Sequence, residues 1–368
     1  MSSTAAIRRS AGRVNLETLR TVDDESSGPI LFLAPDPNLP SFRYRIAPAI
    51  ELLAHQGIEC RVVVFPRRRY GLRIWEMREE LRQASLVVLV KFQLTQAECW
   101  LLRRNASRLA LDIDDAIYVR KPREPLGAPD DTRWRRAKFA ATCRTMDLVI
   151  AGNRQLAEAA RPHAPRVEIV PTPVDTARYR QSSPDAAREP RIVWIGLPEN
   201  LIYLEPLRPA IAELQRRWPA LKMRIVCSRF PEWPESLLEP VQWSPQSEID
   251  ALASADIGIM PLTDNEWTRG KCAFKLLQYM AAGLPCVASP VGANRDVVVD
   301  ETTGFLAGTP AEWSVAFARL LESPQLRERM GAAGLARVRQ HYDVAVVSRR
   351  AAHLYAGLAG AAVAAPSA

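Results

Sequence analysis

Short runs of apolar residues alternate with longer amphipathic segments through the first half of the chain. The apolar runs are rich in Val, Ile and Leu and lie at residues 30–34, 60–65, 86–90, 109–113 and 147–151. Runs of this length with few polar interruptions are typical of parallel strands that are buried on both faces. Between them, helical periodicity covers residues 44–56, 74–83, 96–104 and 131–142. This alternation predicts a doubly wound α/β domain over residues 29–175.

A second series of strands and helices follows a break in the pattern. After a strand at 167–170, a stretch rich in proline and polar residues has no periodicity, and we expect residues 176–190 to be a linker. Strands are then predicted at 191–195, 223–227, 241–243, 256–260 and 285–289, with a helix at 204–217. We therefore expect a second α/β domain over residues 191–342. The aperiodic ends, 1–28 and 361–368, are expected to be disordered.

Composition and charge narrow the class of protein. The 368 residues are 48% apolar and 24% charged, which suits a globular protein of two domains. No apolar run approaches the roughly 20 residues that a membrane span needs, and the N-terminus lacks a signal-peptide core. We therefore expect a cytoplasmic protein. The six cysteines show no C-x-x-C spacing, and we expect them to be reduced.

The formal charge of +8 suits anionic partners such as nucleotide sugars, phospholipid head groups or nucleic acid. Against nucleic acid, the sequence has no recognition-helix, zinc-finger or aromatic-strand signature. Neither half contains G-x-G-x-x-G, and Gly270 and Lys271 are followed by Cys272 rather than by the Ser or Thr of a P-loop. The sequence therefore lacks the usual phosphate-binding motifs of dinucleotide-binding proteins and P-loop ATPases.

The most informative segment covers residues 256–298. A buried strand ends at Met260, a polar loop follows at 261–269, and a helix is predicted over 271–282. Gly283 ends that helix, and the next buried strand begins directly afterwards. The segment is therefore a βαβ unit with a long loop at the carboxyl end of its first strand, which is the edge where open α/β sheets bind ligands.

This loop and the start of its helix form a candidate anion site. The chain enters the helix through Arg269, Gly270 and Lys271, so free backbone N–H groups and two cations could converge on a diphosphate. Lys275 and Gln278 follow on the same helical face. The alternative is a solvated cationic helix face that binds no ligand.

Four patterns resemble the donor half of retaining GT-B glycosyltransferases of family 4. They are DIGIMPL at 256–262, AAGLPCVASPVG at 281–292, ETTGFL at 301–306 and RERMGAAGLARVRQHYD at 327–343. The resemblance implies a GT-B fold, in which two Rossmann-like domains face a cleft. It places the acceptor on the N-terminal domain and a nucleotide-sugar donor on the C-terminal domain. It also implies that a helix at 343–360 crosses back to the N-terminal domain.

The chain departs from this family at the two glutamates that usually precede the helix end. Gln278 stands at the second Glu, which typically contacts the donor ribose, and its amide can still bond hydroxyls. Gly270 stands at the first Glu, so that carboxylate is missing. Asp264 or Glu266 could replace it only through a different loop path.

The chain instead resembles a branch of the family with the pattern W-T-x-G-K-C-x-F-K-L, found here at 267–276. In that branch Lys271 and Lys275 are expected to help neutralise the donor diphosphate. The family's Arg and Lys are missing from the WIGLPEN turn, so further cationic help is expected from Arg229 or Arg269.

A second departure lies at the end of a strand in the N-terminal half. The resemblance places Asp114 where the family often has a His near the reacting sugar, and Asp115 at the following Asp. We expect either carboxylate to orient the sugar or the acceptor. Together with Asp112 they match the spacing of the D-x-D motif that binds a metal ion in another class of glycosyltransferases. No metal or other cofactor is expected here, because the family stabilises the leaving diphosphate with cations and helix dipoles. The alternative for each aspartate is a helix cap.

Two arginines follow the first strand, where the family often has a Gly-rich loop facing the cleft. Arg43 and Arg45 in SFRYRIAP could meet a donor phosphate or an anionic acceptor. The alternative is a solvated pair before an amphipathic helix.

The function implied by the resemblance is transfer of a sugar from a nucleoside-diphosphate sugar to a hydroxyl of a glycan, a lipid-linked acceptor or a protein. Retention at the anomeric carbon follows by analogy. One alternative is a nucleotide-sugar epimerase, which shares the two-domain architecture. Another is a non-catalytic protein that binds nucleotide sugars or a membrane surface. Peripheral contact with the inner face of the membrane is compatible with the enzyme as well.

Overall fold

The computed structural model describes residues 28–65, 68–122, 132–181 and 190–361. Apart from Gly28 and Ala361, the two predicted disordered tails lie outside the described residues. Residues 182–189 of the predicted linker and Asp131 of a predicted helix also lie outside them.

The N-terminal sheet is built from six parallel strands. The strands are β1 (Ile30–Ala34), β2 (Cys60–Val64), β3 (Leu86–Val90), β4 (Leu109–Ile113), β5 (Leu148–Ala151) and β6 (Val167–Ile169). Their spatial order is β2-β1-β3-β4-β5-β6. The four inner strands are buried at every position, which explains why their sequences are almost entirely apolar.

Helices cover both faces of this sheet. They are α1 (Ala47–His55), α2 (Tyr70–Glu76), α3 (Arg78–Gln83), α4 (Gln96–Asn105), α5 (Arg133–Thr145) and α6 (Arg154–Ala160). Because successive strand side chains point to opposite faces, Ile30 and Phe32 pack with α1, whereas Leu31 and Leu33 pack with the layer formed by α2 to α6.

The C-terminal domain repeats this architecture. Its parallel strands are β7 (Arg191–Ile195), β8 (Lys222–Cys227), β9 (Leu238–Gln242), β10 (Ile257–Met260), β11 (Cys286–Ala288) and β12 (Gly304–Leu306), in the order β12-β11-β10-β7-β8-β9. Its helices are α7 (Arg208–Gln215), α8 (Pro245–Ala253), α9 (Glu266–Arg269), α10 (Phe274–Ala281), α11 (Asn294–Val297), α12 (Pro310–Glu322) and α13 (Pro324–His341). The prediction of two Rossmann-like doubly wound domains is confirmed.

Several predicted helices have different bounds in the structure. The helix expected at 44–56 begins as a π-helical turn (Phe42–Ile46) before α1. The helix expected at 74–83 is two helices, because the chain leaves the helical conformation at Met77. The helix expected at 204–217 is regular only over α7, after two short 3-10 turns. Strand β12 was not predicted, because it begins at a glycine and has only two apolar side chains.

The last helix, α14 (Val344–Ala359), packs on the N-terminal domain rather than on the domain that precedes it. It lies against α1, and its apolar face joins the core around Phe32. Tyr355 meets the Phe32 ring edge-to-face with the centroids 5.3 Å apart. The chain therefore crosses between the domains twice.

A buried ion pair lies beneath α14. Arg45 Nε donates to Asp112 Oδ1 at 2.5 Å, and its Nη1 donates to the Val170 carbonyl at 2.6 Å. Tyr355 donates to the other Asp112 oxygen at 2.8 Å. Burial raises the pKa of Asp112, and the guanidinium opposes that shift. Arg45 was expected in the cleft loop, but its charge is held inside the N-terminal domain because a buried carboxylate needs a cation there.

We expect Arg45→Met to lower the free energy of unfolding by about 3–5 kcal/mol, because it leaves the Asp112 carboxylate buried without its cation. Urea unfolding measures this change. The triple variant Arg45→Met, Asp112→Leu, Tyr355→Phe replaces the whole polar group with apolar side chains and should recover most of the loss. A single variant as stable as the unmodified protein would contradict this role.

Candidate active site

A cleft of about 470 Å³ separates the two domains. Its walls contain residues that follow β1 and β4 in the N-terminal domain, and β7 and β10 in the C-terminal domain. Both sheets therefore direct their carboxyl edges toward this space, as expected for a ligand site in doubly wound folds.

Two carboxylates of the N-terminal wall are paired with one lysine. Asp114 and Asp115 follow β4 and line the cleft. Lys91 Nζ lies 2.9 Å from Asp114 Oδ1 and 2.5 Å from Asp115 Oδ2. Burial raises the pKa of Asp115, while the Lys91 ammonium counteracts that rise. The two aspartates therefore share one cation.

Sequence reasoning missed Lys91. It directly follows β3 and adopts a left-handed backbone conformation with φ of 60°, which is uncommon outside glycine. Burial alone would lower the pKa of Lys91, but the two carboxylates outweigh burial and raise it. The available signal was a lysine at the carboxyl end of a wholly apolar strand, on the edge where ligands bind.

Two lysines face these groups from the C-terminal domain. Lys271 and Lys275 line the cleft at the start of α10. Burial lowers the pKa of Lys271. Burial, followed by repulsion from Lys271, lowers the pKa of Lys275 to about 7. Asp115 and Glu199 act in the opposite direction on both lysines, but burial outweighs their attraction.

The position of Lys275 depends on a glycine. Its Nζ lies 5.6 Å from the centroid of the buried Trp194 ring. A β-carbon at Gly196 would approach the Lys275 side chain to 2.9 Å and the Trp194 ring to 2.6 Å. Only glycine therefore leaves room for this lysine beside the end of β7.

The expected helix start at Lys271 is wrong. The chain turns at Ala273, which has φ of 54°, and α10 begins at Phe274. The N–H of Gly270 donates to the Trp267 carbonyl and that of Lys271 donates to the Thr268 carbonyl. These two amides therefore complete α9 and are already hydrogen-bonded, contrary to the expectation that they would be free for an anion.

The segment between α9 and α10, residues 270–273, is seated on the N-terminal domain. Asn153 Nδ2 donates to the Lys271 carbonyl at 3.0 Å, and Cys272 Sγ donates to the Asp114 carbonyl at 3.2 Å. A β-carbon at Gly270 would lie 2.5 Å from Ala116 Cβ and 2.8 Å from Ala116 N. The glycine at the position of the family's first Glu therefore permits close approach of the two domains.

Gln278 lies in the cleft within a buried hydrogen-bond network. Its Nε2 donates to Glu248 Oε1 at 2.8 Å and to the Tyr179 hydroxyl at 2.9 Å. Tyr179 and Trp243 also donate to Glu248, at 3.0 and 2.9 Å. Glu248, which the sequence did not single out, thus places a carboxylate in the cleft beside the glutamine.

The remaining predicted residues are divided between the cleft and the surface. Arg43 lines the cleft on the N-terminal side. Arg269 lies outside it and pairs with Asp264, with Nε and Oδ1 2.6 Å apart. Arg229 is exposed and is not part of the lining. Glu266 pairs with Arg136 of the N-terminal domain at 2.5 Å, so neither acid near the missing first Glu reaches into the cleft.

Metal-binding clusters and membrane-spanning helices are both absent from the part of the chain that the structure describes. Within residues 28–65, 68–122, 132–181 and 190–361, no group of three or more His, Cys, Asp or Glu side chains is arranged to hold a metal ion. In the same part of the chain, no helix is both long and apolar enough to cross a membrane.

Comparison with known proteins identifies the architecture. Sucrose-phosphate synthase from Thermosynechococcus elongatus superposes with a TM-score of 0.69 at 16% identity, covering 91% of this chain and 100% of that one. Anabaena HepE, solved in complex with UDP and glucose, gives a TM-score of 0.63 at 14% identity, covering 90% and 100%. The fold is GT-B.

Sequence comparison finds a family match in the C-terminal half of the chain. Residues 189–323 match the family described as glycosyl transferases group 1. D-inositol 3-phosphate glycosyltransferase of Nocardia farcinica is 27% identical over 207 residues, which are 48% of this chain and 45% of that protein. Phosphatidyl-myo-inositol mannosyltransferase of Mycobacterium leprae is 38% identical over 107 residues, 28% of this chain and 27% of that one. The matches span less than half the length of either relative.

We expect Gly270→Ala to lower the unfolding temperature, because its new methyl group would overlap Ala116 and push the GT-B domains apart at a cost of about 1–3 kcal/mol. Gly357→Ala is the matched control. That glycine lies within α14 with open space around its β-carbon position, so alanine should stabilise the helix slightly. Equal effects of the two substitutions would show that residues 270–273 do not rest on Ala116.

Proposed function

We propose that this protein is a glycosyltransferase that moves a sugar from a nucleoside-diphosphate sugar to an acceptor hydroxyl, with retention and without a metal ion. The observation that carries the proposal is the pair of lysines, Lys271 and Lys275, at the start of a helix in the GT-B cleft, opposite Asp114 and Asp115. The match of residues 189–323 to group 1 glycosyl transferases supports it.

The two lysines are the groups that we assign to the leaving diphosphate. As the glycosidic bond to the diphosphate breaks, negative charge grows on the phosphate oxygens. Buried ammonium groups stabilise such charge more strongly than solvated ones. Lys271 and Lys275 together match the two negative charges of a sugar diphosphate, so the protein itself supplies the charge that a metal would otherwise bring.

The other cleft residues are assigned to recognition of hydroxyl groups. Asp114 and Asp115, held by Lys91, would accept hydrogen bonds from the sugar or from the acceptor. Glu248 would accept them from donor hydroxyls, and Gln278 would hold that carboxylate in place. A carboxylate has about four acceptor positions, so the three protein donors on Glu248 leave room for a ligand hydroxyl.

The acceptor would lie on the N-terminal side of the cleft. Two relatives are named for inositol phosphate and phosphatidylinositol substrates, which are polyhydroxylated and anionic. Arg43 is a cation on that wall and is suited to an anionic acceptor. We therefore propose an acceptor that carries both hydroxyl groups and a phosphate.

Turnover with a panel of UDP, GDP, ADP and CMP sugars tests the function, with inositol phosphates and phosphatidylinositol as acceptors. We expect chelator-resistant transfer that Lys271→Ala reduces by about 100-fold or more, because it removes a charge from the leaving-group site. Product NMR reports the anomeric configuration. Lys222→Ala, at the opposite edge of the C-terminal sheet, is the control. Binding of a donor without transfer or hydrolysis would favour a non-catalytic protein, and an epimerised donor would favour the epimerase alternative.

Above pH 7, the protein should take up a proton when it binds the donor. Lys275 has a pKa of about 7 in the free protein. A bound diphosphate raises that pKa, so affinity should fall as the pH rises through 7 and 8 and the ammonium loses its proton. Calorimetry in buffers with different ionisation enthalpies counts the protons. Lys275→Arg, which stays charged, should abolish the uptake, whereas Lys222→Arg should leave it unchanged. Uptake that persists in Lys275→Arg would assign the proton to another group.

A further inference from the structure

Three tryptophans are exposed on one helical layer of the N-terminal domain. Trp75 of α2, Trp100 of α4 and Trp134 of α5 have exposed fractions of 54%, 63% and 68%. Tryptophan is usually largely buried, because its ring removes a large apolar area from water. Three such side chains at this exposure require an explanation that the cleft does not provide.

The three rings share one side of the molecule. Helix α4 contacts both α2 and α5, so the three helices are neighbours. Their inner faces bury Ile74, Leu102 and Phe139 against one side of the sheet, while the tryptophans remain exposed on the outside. We call this outer side, with Trp75, Trp100 and Trp134, the tryptophan face.

The tryptophan face lies next to the edge of the domain that borders the cleft. Helices α2, α4 and α5 follow β2, β3 and β4, so each begins at the carboxyl edge of the sheet. Each tryptophan lies within the first two turns of its helix. A surface that contacts all three rings would therefore come close to the cleft opening.

The same helices carry a large excess of positive charge. Helices α2 to α5 contain ten arginine and lysine side chains against four glutamates, a net charge of +6, while the whole chain has +8. Each exposed ring also has a cation over it, at 4.7 Å for Arg78 and Trp75, 5.5 Å for Arg104 and Trp100, and 5.8 Å for Lys138 and Trp134.

We propose that the tryptophan face binds the surface of an anionic phospholipid bilayer. Indole rings favour the water–hydrocarbon boundary, and cations near a membrane are attracted by acidic head groups. A bilayer is favoured over a protein partner, because the net charge of +6 on these helices complements a surface of acidic head groups. The binding is separate from the transfer reaction, since it uses no residue of the cleft.

This docking would determine where the cleft faces. With the tryptophan face on the bilayer, the opening between the domains lies beside the head-group layer. Lipid-linked acceptors could then reach the N-terminal wall without leaving the membrane.

Sedimentation of the full chain with phosphatidylcholine vesicles, with and without about one-third phosphatidylglycerol, tests the proposal. We expect binding to the mixed vesicles and little binding to pure phosphatidylcholine. The variant Trp75→Ala, Trp100→Ala, Trp134→Ala should lose most of this binding. Its matched control, Val299→Ala, Val315→Ala, Val346→Ala, removes exposed apolar side chains elsewhere and should bind as the unmodified protein does.

A second pair of variants measures the contribution of the cations to vesicle binding separately from that of the tryptophan rings. Arg78→Ser, Arg104→Ser, Lys138→Ser should weaken binding by about fivefold for each cation removed, while Arg216→Ser, Arg329→Ser, Arg349→Ser should not. Brominated phosphatidylcholine mixed with phosphatidylglycerol should quench the tryptophan fluorescence of the unmodified protein, which gives a readout that does not depend on any variant folding.

The proposal is overturned if the mixed vesicles do not bind the unmodified protein, or if the tryptophan variant and its valine control bind equally. It is also overturned if gel filtration shows a dimer that the tryptophan variant dissociates and vesicles have no effect, because the face would then be a contact between two copies of this chain.

Discussion

The close contact of residues 270–273 with the N-terminal domain is the constraint on which the C-terminal wall of the cleft depends. Gly270 has no side chain because Ala116 occupies that space, and Cys272 and the Lys271 carbonyl are hydrogen-bonded to the opposite domain. The left-handed turn at Ala273 then starts α10 and directs Lys275 into the cleft. The geometry of the lysines is therefore a property of both domains together, and opening of the domains would disturb the positions of the lysines as well as widen the cleft.

Charge in the cleft is distributed unevenly between its walls. On the N-terminal wall two carboxylates share the single ammonium group of Lys91, which balances half of their formal charge. On the C-terminal wall Lys271 and Lys275 repel one another and have lowered pKa values, chiefly because they are buried. An anionic ligand relieves that repulsion, whereas a neutral ligand does not. This asymmetry underlies the assignment of the two lysines to a diphosphate, and Glu248 keeps a carboxylate near Gln278 where the family's glutamate is missing.

The architecture could be predicted from the sequence, because local apolar runs specify buried parallel strands. β1, β3, β4 and β7 have the bounds that their composition indicates. The cleft lysines and aspartates were also found, since strand ends mark the ligand edge. Arg45 was misplaced because its partner Asp112 is 67 residues away, and no local pattern reports such a pair. The start of α10 was misplaced for a related reason. Contacts with the N-terminal domain stabilise the turn at Ala273, and these contacts are invisible in the segment itself.

Helix α14 has a consequence for how the chain is made. The N-terminal domain exposes the apolar side of β1 and β3 until α14 has been synthesised, more than 300 residues after β1. The Asp112 carboxylate, which is paired with Arg45, likewise lacks its hydrogen bond from the Tyr355 hydroxyl until α14 has been made. Synthesis therefore delivers the C-terminal domain while the N-terminal domain is still incomplete, and the N-terminal core is completed only when α14 has left the ribosome. A nascent chain of this protein should accordingly need protection along one face of its N-terminal sheet until α14 has been made.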